Sequence, residues 1–257
     1  MAMSEGIVQP VRTRNSPSLG PLAIMVATQT DLDTMTHGMD LNQSFTMRLY
    51  MSRLVVTGEN VAIAGPMVGA PYAVMILETL IAWGARQFLF LGWCGSISPE
   101  VQIGDILIPC GAWIDEGTSA HYMTERPNPN SGHVSVEAAT LTPGLKQILQ
   151  NAAVPFHEGC IWTTDAIYRE TPEKIAAFQN KKAVGVEMEL SALLTVSRFR
   201  KIDFAAMLVV SDAVSGLIWK PGFKDHRFQS SRRLASNIMG QICQNPRMLT
   251  SFSGSTG

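Results

Sequence analysis

What most constrains this chain is a set of short segments that are apolar at nearly every position and end in polar or glycine residues. "PLAIMVAT" (21–28), "RQFLFLG" (86–92) and "IDFAAMLVVSD" (202–212) show no polar–apolar alternation. A strand with one wet face alternates, so a strand apolar throughout must be covered on both faces. Segments of helical character lie between these runs. "PYAVMILETLIAWGA" opens on Pro71 and stops at Gly84, the expected start and stop residues. "ELSALLTVSRFR" reads as a second helix, and the last runs from about His226 to Cys243. A further helix is expected from near Ser135 or Pro143, and Thr171 before Pro172 should cap a short one. "RLVVTGENVAIAG" (53–65) reads as a hairpin. The predicted fold class is α/β: a three-layer α/β/α domain with a central mixed, largely parallel twisted sheet. One such domain is expected over residues 21–245, with a loose arm over 1–20 and a flexible tail over 246–257.

Composition excludes several functions. Hydrophobic residues make up 46% of the chain and charged residues only 16%, so a large core can form and some surface is expected to be hidden between subunits. The net charge is −1 and no basic run occurs, which argues against a nucleic-acid or anionic-membrane partner. No apolar run reaches the ~20 residues needed to cross a bilayer. The first twenty residues lack the apolar centre of a secretory signal. Cys94, Cys110, Cys160 and Cys243 are far apart in sequence, and the five histidines form no ligand pattern, so no metal site is expected. Reduced thiols in a cytoplasmic protein follow as the simplest expectation.

In a parallel sheet covered on both faces, ligands sit at the C-terminal edge of the strands. The polar residues that end strands are therefore the informative ones: Cys94-Gly95-Ser96, Asp165, Glu187-Met188-Glu189 and Ser211-Asp212. A carboxylate at a strand end can accept a hydrogen bond from each of two vicinal hydroxyls, which is a grip for a sugar diol. Glu189 could equally cap the helix that follows it, and the two roles are compatible. Asp212 emerges from the apolar run "FAAMLVVS" and could protonate a leaving group, or cap the next turn. "FLGWCGSI" (90–97) reads as a strand-to-turn junction whose backbone N–H groups could cradle an anion. "GPMVGAP" (65–71) is a second glycine turn. His121 and Tyr122 lie in a long polar loop over 116–133.

Together, "GPMVGAPYAVMILETLIAWGA", "LGWCGSISPEVQIGDILIP", "DEGTSAHY", "TTDAIYRET", "GVEMELSAL" and "VVSD" resemble, in order, the nucleoside phosphorylase family with the purine and uridine phosphorylase fold. The resemblance implies cleavage of the N-glycosidic bond of a nucleoside, purine favoured, by phosphorolysis to base and ribose 1-phosphate. It implies no cofactor, with inorganic phosphate as co-substrate and self-association into a homo-oligomer (dimer, trimer or hexamer). By the same resemblance, Asp212 is the catalytic acid, and Glu189, Met188 and Glu187 hold the ribose. Ile167, Tyr168 and Ser211 lie along the base, with Asp165 beside them and Tyr168 or Trp162 able to stand in for a missing aromatic. Gly92, Trp93, Cys94, Gly95 and Arg48 fall at the phosphate or nucleophile site. The chain departs from the phosphorolytic pattern at that last site. Phe90 stands where a basic residue is expected, Trp93 where a hydroxyl is expected, and "ATQTDLD" (27–33) carries no arginine. Arg48 or Arg53 could supply the cation. Relatives that use water activate it with a glutamate after the first strand, which Asp31 or Asp33 could imitate. A hydrolytic nucleosidase, or a non-catalytic nucleoside-binding protein on the same fold, is the alternative.

Overall fold

A computed structural model describes residues 6–37, 44–123, 132–136 and 141–249. The strands are β1 (Leu22–Val26), β2 (Phe45–Leu49), β3 (Ser52–Val56), β4 (Ala62–Gly65), β5 (Gln87–Ser96), β6 (Ile106–Asp115), β7 (His133–Ser135), β8 (His157–Thr164), β9 (Ala183–Glu187), β10 (Asp203–Ala213) and β11 (Lys220–Pro221). The helices are α1 (Gln29–Thr36), α2 (Ala70–Trp83), α3 (Leu141–Asn151), α4 (Pro172–Asn180), α5 (Leu190–Arg200) and α6 (His226–Gln244).

All the strands join one mixed sheet, ordered β11-β10-β6-β8-β9-β5-β1-β4-β3-β2, with β7 added beside β6. The continuous apolar runs have a direct cause. In β1, Ala23 and Met25 face the core under α2 and α5, while Leu22, Ile24 and Val26 face the core under α1, α3 and α6. β5 and β10 divide in the same way. Helices therefore cover both faces, as the sequence led us to expect. The sheet also closes on itself: β5 pairs with β10 and with β9, so β5, β10, β6, β8 and β9 form a ring of five strands.

Several sequence expectations need correction. Of the two expected helix starts, Ser135 lies in β7 instead, and the helix begins at Leu141, close to Pro143. The segment 27–33 is not an open loop: most of it forms the start of α1, capped by Thr28, whose hydroxyl accepts from Asp31 N. The stretch 92–96 is not a turn. β5 runs straight through it, and Gly92 to Ser96 pair with β10. The arm is tied down in part, because Leu19 N donates to Trp83 O and the Trp83 indole donates to Val11 O. Leu249 is buried in a 3-10 turn after α6, and residues 250–257 of the expected tail lie outside the described residues.

Candidate active site

The ring of strands determines what meets at its C-terminal edge. Gly95 of β5 lies opposite Asp212 of β10 on one side and Val186 of β9 on the other. Asp212 therefore flanks one side of Gly95, and Glu187, Met188 and Glu189 follow directly from the other. A Cβ built on Gly95 would meet Asp212 Oδ2 at 3.2 Å and Val186 Cγ1 at 3.3 Å, so glycine leaves the two strands their close approach.

The two glutamates diverge. Glu187 is fully engaged: its Oε1 accepts from Thr163 Oγ1 at 2.5 Å, and its Oε2 from Glu189 N at 2.8 Å and Leu190 N at 2.7 Å. Glu187, rather than Glu189, thus satisfies the open amides at the start of α5. The side chain of Glu189 makes no capping bond. It reaches across to the entry of α2 instead, where Gly69 N donates to its Oε1 at 2.5 Å. Burial raises the pKa of Glu187, and the neighbouring Glu189 adds to the effect. Burial raises Glu189 as well. Two carboxyl groups this close and this dry favour holding a proton or gathering hydroxyl donors.

Asp212 is half-buried and accepts two bonds, from Ser211 Oγ at 2.6 Å and from the Trp219 indole N–H at 2.9 Å. Ser211 is buried behind it, with its hydroxyl turned to that carboxylate. Glu170 lies near enough to feel that carboxylate: burial, then Asp212, push it up to about 7. Cys94 is sealed beneath the site, its thiol raised first by burial, then by Asp212 and Glu187. Trp219, Glu170, Gly69 and Thr163 were missed in the sequence. Gly69, Thr163 and Glu170 sat in motifs already noticed, and Trp219 did not.

The other expected residues lie on these and neighbouring elements. Ile167 and Tyr168 form an exposed 3-10 turn after β8, with Asp165 accepting from Gly117 N at 2.9 Å. Trp162 cannot stand in for a stacking aromatic, because it is buried, stacked on Phe178 and bonded to Asp115. Met188 is half-buried between the two glutamates. His121 lies in a short 3-10 turn.

At the residues expected to hold phosphate, the chain's own side chains bond one another. The Trp93 indole donates to Asp31 Oδ2 at 2.6 Å, and Arg232 of α6 pairs with Asp31 Oδ1 at 2.8 Å. The hydroxyls of Thr28 and Ser236 bond the same carboxylate. Trp93 also packs edge-on against Phe228, with centroids 4.9 Å apart. Gly92 has Phe90 ring atoms within 2.9 Å of where a Cβ would stand, so the strand admits no side chain there. Arg48 is exposed and donates to Tyr50 O, while Arg53 pairs with Asp33 at 2.8 Å. These two arginines line a cavity of about 480 Å³ with Gln29, Ser52 and Pro66, whose walls do not include the carboxylates. Among the described residues, no group of His, Cys, Asp or Glu is placed to hold a metal ion.

An α/β sheet that gathers carboxylates from neighbouring strand ends around a glycine is the architecture of a small-ligand site at a sheet edge. Comparison with known proteins identifies which kind. Residues 21–243 match the model of the phosphorylase superfamily, and the chain belongs to that family. It is 25% identical to a guanosine phosphorylase of Halorubrum lacusprofundi over 60% of this chain and 61% of that protein. A DeoD-type purine nucleoside phosphorylase of Clostridium novyi is 24% identical over 61% of this chain and 66% of the relative. An uncharacterized protein of Acanthamoeba polyphaga mimivirus is 31% identical over 56% and 53%. The chain thus spans between about half and two thirds of these relatives' lengths. Among solved structures, purine nucleoside phosphorylase of Toxoplasma gondii aligns with a TM-score of 0.74 at 18% identity, covering 95% of this chain and 99% of that one. AMP nucleosidase of Bacteroides thetaiotaomicron aligns at 0.66 with 20% identity, covering 89% and 90%. At these identities the structures show the shared fold. Among the described residues no helix is long and apolar enough to cross a membrane.

Proposed function

We propose that this chain cleaves the N-glycosidic bond of a purine nucleoside. The observation that carries the reading is the pairing of Gly95 with Asp212 on one side and, on the other, with Val186, which leads into Glu187-Met188-Glu189, with Glu189 bonded to the entry of α2. Glu189, with Met188 beside it, takes the ribose hydroxyls. Glu187 holds Glu189 in place by securing the backbone at 189 and 190. Asp212 faces the base and relieves the negative charge that builds on a departing purine. One of its present partners must then yield to the base nitrogen. Trp219, 60% exposed, is the displaceable one, and buried Ser211 is the fixed one.

For the acceptor, the names of the relatives favour phosphate and the geometry favours water. A phosphate needs charge-assisted donors. Here Arg232 is paired to Asp31, Trp93 occupies the adjoining space, and the amides of 92–96 belong to a strand ladder. Hydrolysis is therefore the reading we adopt for the second half of the reaction. The low charge content and the exposed apolar residues Leu217, Ile218 and Phe223 support self-association. The deciding experiment incubates inosine, guanosine, adenosine and uridine with the protein, with and without phosphate, and measures base, free ribose and ribose 1-phosphate. Free ribose and purine base without phosphate are expected. A strict phosphate requirement would overturn the hydrolytic reading, and nucleoside binding without turnover would overturn cleavage itself.

A further inference from the structure

Away from the carboxylate site, the outer surface of β6 and β8 carries a cluster that the proposed reaction does not use. β6 and β8 run parallel, and their register shifts between Pro109 and Gly111, so that Cys110 occupies a bulge beside Cys160. The two sulfurs stand 3.4 Å apart. His133 of β7 approaches from the other side, its Nε2 3.4 Å from Cys160 Sγ. Cys110 is exposed and Cys160 half-buried, whereas Cys94 and Cys243 are buried. Sulfurs at this separation are already in van der Waals contact. Disulfide formation needs them about 2.05 Å apart, a closure that side-chain rotation in a bulge can supply.

We propose that Cys110 and Cys160 form a reactive dithiol that exchanges with a small disulfide such as oxidised glutathione and closes an intramolecular disulfide between β6 and β8. Cys110 is the attacking sulfur, because it is the accessible one. Its thiolate attacks one sulfur of the small disulfide, the S–S bond breaks, and one glutathione thiolate leaves. Cys160 then attacks the sulfur of Cys110 in the mixed disulfide, gives up its proton to water or to the adjoining His133 ring, and expels the second glutathione thiolate. The protein loses two electrons and two protons, and one glutathione disulfide becomes two glutathione thiols. The polar surroundings suit the first step. The contact with the Cys160 sulfur holds the Cys110 thiol below the ordinary range against its partial burial, while the nearby Lys146–Glu158 pair, 2.6 Å apart, pulls in both directions. A low thiol pKa with exposure marks a reactive cysteine, and a neighbouring thiol resolves the adduct.

The test uses the whole chain equilibrated with reduced and oxidised glutathione, then alkylated and weighed. The oxidised protein should carry two alkyl groups where the reduced protein carries four, and no glutathione, with the link mapped to Cys110 and Cys160. Cys160→Ser should stop at the mixed disulfide, gaining one glutathione on Cys110. Cys110→Ser should leave Cys160 largely unmodified. Four free thiols at the oxidised end of the series would overturn the proposal. So would a stable glutathione adduct on the unsubstituted protein, or a link involving Cys94 or Cys243. Because the first measurement needs no substitution, a variant that fails to fold leaves the proposal open to refutation.

Discussion

Residue roles at the site are set by which donors each carboxylate already has. Glu187 has three and is spent on structure, Asp212 has two, and the side chain of Glu189 is bonded to the amide of Gly69. Replacing Asp212 with Asn should lower turnover of purine nucleosides by about 100-fold or more, the scale of losing a general acid. Glu189→Gln should reduce turnover of ribosides far more than that of analogues lacking the vicinal hydroxyls. Steady-state kinetics on matched substrates reads both effects, and equal losses across the sugar series would remove Glu189 from the sugar. The sequence showed these carboxylates because each ends an apolar run. It could not show which glutamate caps α5, since that depends on a hydroxyl at position 163 in a different strand.

At the scale of elements, the Asp31–Arg232 pair couples α1 to α6 across 201 residues of chain. Asp31 is 1% exposed and Arg232 8%. Asp31→Asn would leave a buried guanidinium without its counter-charge, at a cost of about 3–5 kcal/mol. A fall of that size in urea-unfolding stability is the expected result. The same substitution frees a cation beside Trp93, so inorganic phosphate should restore part of the lost stability in the Asp31→Asn variant and leave the unsubstituted protein unchanged. The covered strands and the helices α2, α4, α5 and α6 were legible because period and caps agree. α1 was not, because "QTDLDTMT" offers only Leu32 and Met35 to the core. β2 was not, because most of its residues are exposed or half-exposed. The straight course of β5 through two glycines was hidden as well, since glycine signals a turn locally and only the pairing with β9 and β10 overrides it.

For the whole molecule, the buried glutamates make stability depend on pH. Their folded pKa values are raised, so the folded state binds more protons than the unfolded one wherever unfolded glutamate is ionised. Their contribution is complete below the ordinary glutamate value of about 4.3 and is lost as pH climbs through the raised values. Denaturant titrations should therefore show falling stability between mildly acidic and mildly alkaline pH, with the slope reduced in Glu187→Gln. A flat profile would place both carboxylates in wetter surroundings than the fold gives them.

Gly95 has one more consequence. The spacing of β9 and β10 is gauged by a residue with only hydrogen where a side chain would begin. Because Val186 and Asp212 are both paired to that residue, a larger side chain at position 95 would push the two strand ends apart. In the reaction proposed above, discrimination among nucleosides is then expected from the residues surrounding this fixed spacing, and substitutions that alter preference are to be sought there.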